Sequence, residues 1–165
     1  MPGPRTRTPG DKTEQMQYST GRIEIQELLP HNSKAEIEFL ENLIFRPDKV
    51  DLASGKVSPE DFYSRLRGQV YERILEFHED GCTWNLITLE DSFRDDPNFI
   101  QYRDFFDSLL PWTGERVGPT AKIINDCSSR RKLIAATYQA NTDLFGYVGI
   151  GAVKANLQKA LKGVE

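Results

Sequence analysis

The sequence predicts an all-α fold: a helical globule followed by a C-terminal helical hairpin. Three observations carry this reading. Apolar residues recur at intervals of three and four along most of the chain, and helix-start signals precede those stripes. The one strand-like stretch, residues 84–89, is short. At 165 residues one domain is the default, and such a chain buries enough surface for a core without disulfide or metal. With 38% hydrophobic and 28% charged residues it is too polar for a membrane protein. Its 10% of aromatic residues is too many for a wholly disordered chain.

Residues 1–22 read as a disordered tail, punctuated by Pro2, Gly3, Pro4, Pro9 and Gly10 and without apolar periodicity. The globule is expected over residues 23–118. Ser33 and Glu36 have the spacing of a capping box, and Ile37, Leu40, Leu43 and Ile44 follow on one helical face, predicting a helix over 33–45. Val50 and Leu52 predict a short helix ending near Gly55. Ser58-Pro59-Glu60-Asp61 is a second start signal. It combines a capping serine, a first-turn proline and acids at the positive end of the helix dipole. Phe62, Leu66, Val70, Ile74 and Phe77 continue it, and Gly81 supplies the stop. Thr88-Leu89-Glu90-Asp91 predicts a short helix over 88–93. Asp95-Asp96-Pro97 opens another that turns Ile100, Phe105, Phe106 and Leu109 inward. Residues 111–119 read as a loop.

The hairpin is expected over residues 119–165. One long helix fits 119–145, with Ile123, Ile124, Cys127, Ile134 and Tyr138 on one side and Arg130, Arg131 and Lys132 interrupting with charge. Gly146, Gly149 and Gly151 break it. A second helix over 152–162 carries Val153, Leu157 and Leu161. That helix is too short to stand alone in water, so it must pack on the first helix or on another chain. The apolar residues Ile134, Tyr138, Val153, Leu157 and Leu161 exceed what a two-helix hairpin buries within itself. They are therefore the candidate self-association surface.

The search for chemistry returns little. Residues 146–154, GYVGIGAVK, look superficially like a phosphate loop, but Gly151 is followed by Ala152 and no strand precedes. Cys82, Cys127, His31 and His78 are too scattered for a zinc site. Two free thiols fit a reducing, cytoplasmic setting. His78, beside Glu79 and Asp80, reads as a residue at a helix C-terminus rather than a general base, because no nucleophile accompanies it. His31 reads as structural, Asp95-Asp96 as helix-start acids, and Ser128-Ser129 as helix surface. Arg130, Arg131 and Lys132 form the compact basic cluster of the folded part. They are a solvated face, or else a partner or DNA contact. The net charge of −4 argues against a chain whose main task is gripping nucleic acid, so direct DNA binding is expected to be weak or absent. No apolar run approaches a membrane span. No catalytic residue, cofactor or metal site is expected.

In the order of its elements the chain resembles the N-terminal domain of DnaB-type replicative helicases. Pro30-His31-Asn32 with Ala35-Glu36 and Leu40 resembles the family's approach to its first helix. Glu60-Asp61-Phe62-Tyr63 with Val70-Tyr71 and Ile74 resembles its second block, and Gly81 with Leu86-Ile87-Thr88-Leu89 its third. Ile123-Ile124 with Arg131-Lys132-Leu133-Ile134 resembles the start of its hairpin. The chain departs from the pattern in three places. Arg67 stands where the family usually has histidine, and Asn85 where it usually has aspartate. Asp95-Asp96-Pro97-Asn98 replaces a glycine pair.

The resemblance implies a globule plus a hairpin, with hairpins pairing between subunits, most simply about a two-fold axis. It implies a collar on the helicase ring that docks primase or a helicase loader. The chain is thus expected to be a non-catalytic oligomerisation and docking domain that turns over no ATP, since the ATPase domain of that family is absent from it. A free-standing adaptor, loader or inhibitor of the same fold is the alternative.

Overall fold

The structure, a computed structural model, describes residues 29–111, 114 and 116–164. The expected tail over residues 1–22 lies outside them. Among the described residues there are seven α-helices and no strand: α1 (Ser33–Phe45), α2 (Val50–Ala53), α3 (Arg65–Glu79), α4 (Leu86–Asp91), α5 (Phe99–Asp107), α6 (Val117–Phe145) and α7 (Ile150–Lys162). Two 3-10 turns, Pro47–Lys49 and Pro59–Asp61, lie between them.

Helix α1 runs through the middle of the globule. Phe39, Leu40, Leu43 and Ile44 are buried on it, packed with Val70, Tyr71 and Ile74 of α3 and with Ala121 and Ile124 of α6. Trp84 closes the far end of α1, its indole N–H donating to the Leu43 carbonyl at 3.1 Å. Helices α4 and α5 cover α3. Phe93 stacks on Tyr102 with ring centroids 4.1 Å apart, and the Tyr102 hydroxyl donates to Gln69 at 2.8 Å. Tyr71 is enclosed in the core, and its burial there raises the hydroxyl pKa to about 12.

Several helix starts differ from the sequence expectation: α5 begins at Phe99 after Asn98 and not at Asp95-Asp96-Pro97, α7 begins at Ile150, and three others differ for local reasons. Asn32, not Ser33, caps α1, its Oδ1 accepting from the Ala35 amide at 3.0 Å. Glu36 therefore does not close a capping box. It is 2% exposed and reaches across to α3, where it accepts from the Tyr63 amide at 2.6 Å and from Arg67 Nε at 2.7 Å. The Ser58 signal does form a capping box with Asp61, but what it opens is the 3-10 turn Pro59–Asp61. Helix α3 begins only after Ser64, whose hydroxyl accepts from the Arg67 amide. Asn85 caps α4, exchanging bonds with Thr88 at 2.9 and 3.0 Å, so Thr88 is the third residue of the helix and not its cap.

Two buried faces are also rephased. In α5 the inward residues are Tyr102 and Phe106, with Leu109 just beyond. Phe105 is half-buried and Ile100, two residues from Tyr102 and so on the opposite side, is 66% exposed. The long helix starts at Val117, inside the expected loop, and its inner face is Val117, Thr120, Ala121, Ile124 and Ser128. Ser128, read as surface, is buried.

The turn before α3 explains Gly68. A Cβ there would stand 2.5 Å from the Pro59 carbonyl oxygen, so only glycine lets the 3-10 turn lie against α3. Gly81 stops α3 with φ +67, a value that favours glycine.

The bond set of Glu36 gives a first prediction. Glu36→Ala leaves Arg67 and two backbone amides without their acceptor and is expected to cost about 3 kcal/mol, read by urea denaturation. A loss below about 1 kcal/mol would place the carboxylate in a solvated pair instead.

Candidate functional site

At about 1.5 Å per residue, α6 is roughly 43 Å long. Its first three turns lie in the globule core, where Val117, Ala121 and Ile124 are at most 2% exposed. The rest leaves the globule and pairs with α7. The transition is a polar joint. Ser128 Oγ donates to Asp61 Oδ1 at 2.6 Å and Lys132 Nζ to the same oxygen at 2.9 Å. Asp61 Oδ2 accepts from the Ser58 amide at 2.9 Å. Arg131 spans two segments, donating to the Pro30 carbonyl at 2.8 Å and to the Asp61 carbonyl. Its guanidinium lies 5.8 Å from the Tyr63 ring centroid, and Tyr63 stacks on His31 at 4.2 Å. Burial pushes the Asp61 carboxyl up, but hydrogen bonds from Ser128, Lys132 and Ser58 outweigh it and hold the pKa below the usual 3.8.

The candidate partner-contact residues thus divide. Arg131 and Lys132 bind the hairpin to the globule, while Arg130 is exposed. The candidate self-association residues divide as well. Ile134, Tyr138 and Leu161 are 42%, 71% and 56% exposed. Leu157 is half-buried, and Val153 is buried on α7 where it packs on α6, as Ala140 is on α6.

The sequence reading passed over the hairpin tip. Leu144, Phe145, Tyr147, Val148 and Ile150 are all exposed there, Phe145 and Tyr147 almost completely. Their signal lies in the letters LFGYVGI, where large apolar side chains flank the glycines of the turn. Tyr147 has φ 58, in the left-handed region that a bulky side chain rarely adopts. Exposed apolar groups in this number are more than scattered surface residues.

A cleft of about 370 Å³ holds Asp51, His78, Cys82 and Trp84. His78 Nε2 lies 3.1 Å from Asp51 Oδ1, and the Cys82 thiol faces the Asp80 carbonyl at 3.8 Å. No bond joins this thiol to the imidazole among the described residues, as a nucleophile–base pair requires. Among the described residues no group of three or more His, Cys, Asp or Glu could hold a metal, and no helix is long and apolar enough to cross a membrane.

The profile of the DnaB-like helicase N terminal domain matches residues 28–126, well over half of the chain. The chain belongs to this family. The DnaB-like domain is 24% identical over 164 residues to a probable replicative DNA helicase of Trieres chinensis. That match takes in 90% of this chain and 34% of the relative, so the chain spans about a third of the relative's length. Its fold is similar to the crystal structure of the N-terminal domain of DnaB helicase from Mycobacterium tuberculosis. The TM-score is 0.68 at 18% identity, over 81% of this chain and 99% of that one. The family match is to the helicase's N-terminal domain, and these 165 residues contain no ATPase domain.

In this DnaB-like domain the joint carries a pH dependence. A carboxyl whose folded pKa is depressed adds stability above its unfolded value, and that stability is lost as pH falls through the folded pKa. Below about pH 4 wild type should therefore lose stability more steeply than Asp61→Asn, read as thermal midpoints across pH 2–6. Parallel curves would mean that Asp61 carries no net charge–charge or hydrogen-bond advantage.

Proposed function

We propose that this domain serves as an oligomerisation and partner-docking module of a replicative DNA helicase. The observation that carries the reading is the exposed apolar surface of the arm: Ile134, Tyr138, Phe145, Tyr147, Ile150 and Leu161. A monomer in water gains nothing by holding these side chains out, whereas a second chain laid on them removes them from solvent. Membership in a helicase N-terminal domain family supports the same reading, because such a domain works beside a motor and not as one. The second copy pairs through the arm. Primase or a helicase loader is the heterologous partner, docking on the assembled collar. Direct DNA binding is weak or absent in this reading.

Leu161 is the position to test, because it is exposed and its replacement leaves the core alone. Leu161→Asp puts an unpaired carboxylate in the contact, where desolvation opposes binding. Self-association should weaken on the order of a hundredfold, about 2.7 kcal/mol, in sedimentation equilibrium, with the circular dichroism melt unchanged. A wild type that stays monomeric at high concentration, or a mutant that associates equally well, would overturn the proposal.

A further inference from the structure

A cleft of about 520 Å³ lies at the foot of the arm, where the end of α7 returns beside α6. Its walls are the loop before the 3-10 turn Pro59–Asp61, one side of α6, and Gly163 and Val164. On α6 the lining residues Gly118, Lys122, Asn125, Ser129 and Lys132 recur at alternating intervals of four and three, which puts them in one stripe of the helix. Gly118 leaves the stripe open at its start, since a Cβ there would meet nothing within 4 Å. Asn125 donates its side-chain N–H to the Lys56 carbonyl and so holds the loop against α6.

The polar groups of this cleft divide into engaged and idle ones. Lys132 is bound to Asp61, and both oxygens of that carboxylate are taken. The ammonium groups of Lys56 and Lys122 and the Ser129 hydroxyl have no hydrogen bond or ion pair among the described residues. Asp126 is the remaining carboxylate of the lining and opposes an anion. The idle donors are spread out: Lys122 and Ser129 stand about 10 Å apart along α6, with Lys56 on the loop beside them. One carboxylate does not cover that span. Linked phosphates offer acceptor oxygens all along it, and lysine binds phosphate as a point charge. We infer that this cleft binds a small polyphosphate anion, inorganic pyrophosphate or the phosphate chain of a nucleotide, on Lys56, Lys122 and Ser129. A cleft of this volume is of the size that small-molecule sites have. Occupancy ties the loop, α6 and the foot of α7 together, and it does not depend on the pairing of arms.

The test is isothermal titration calorimetry of the 165-residue chain with inorganic pyrophosphate at about 50 mM NaCl, where screening is weak. Wild type should bind one pyrophosphate per chain with a Kd below about 1 mM. Lys56→Gln and Lys122→Gln should each weaken binding about tenfold or more, and Asp126→Asn should tighten it. Lys159→Gln removes the same charge outside the cleft and should leave the Kd unchanged. All four positions are exposed, so the ligand-free melts should match wild type. A nucleoside triphosphate should compete with pyrophosphate, and a single-stranded oligonucleotide should not. Absence of saturable binding, an equal loss in Lys159→Gln, or an oligonucleotide that competes as well as the nucleotide would overturn the inference. Each of these results leaves the pairing of arms to its own test.

Discussion

The polar joint between Asp61 and the middle of α6 decides what this domain can present. Without it the long helix would be a core helix with a loose extension. With it, Ser128, Arg131 and Lys132 hold one point of α6 to the 3-10 turn before α3 and to the strand-free lead-in at Pro30. Three segments distant in sequence meet there. The arm beyond leaves the globule in one direction. The acceptors are two backbone carbonyls and one carboxylate that is 8% exposed. Ser128 is buried and Arg131 half-buried, so their bonds weigh more than surface ones do, whereas the Lys132 ammonium is half in water and adds less.

The same geometry separates two kinds of surface. On the globule side α6 buries small and aliphatic residues against α1, and the apolar content is used up in one core. On the arm side two helices share only one narrow seam, marked by Ala140 and Val153, and the remaining large side chains stay outside. The globule exposes mostly acid, while the arm exposes lysine and apolar groups. The proposed pairing of copies rests on which residues the joint keeps out of the core.

The fold class, the order of helices and the stop at Gly81 were legible because local signals decide them: period, caps and a positive φ. What was not legible depends on partners far away in sequence. Glu36 has the spacing of a capping box, yet its carboxylate is drawn to amides and a guanidinium some 30 residues on. Ser128 reads as surface by residue type, and only a carboxylate 67 residues back makes it a buried donor. Arg131 and Lys132 read as one solvated cluster with Arg130, though a helix turns each to a different side. Ile100 reads as inward by hydrophobicity alone, yet it is exposed. The ring of Tyr102, fixed by Phe93 and Gln69, sets the phase of α5 instead. The exposed apolar positions Ile134, Tyr138 and Leu161 of the arm were legible from helical spacing, whereas those of the tip were not, because they lie in a glycine-containing turn that has no helical period.

The measurement that bears most directly on the joint is amide hydrogen exchange in wild type and Arg131→Met, followed residue by residue along α6. Methionine keeps the helix and the aliphatic stem while removing both bonds to Pro30 and Asp61. If the joint fixes the arm, exchange in the mutant accelerates from about residue 131 through α7, while α1, α3 and the first three turns of α6 keep their protection. Unchanged exchange in the arm, or a uniform loss of protection across the globule and the arm alike, would contradict the account.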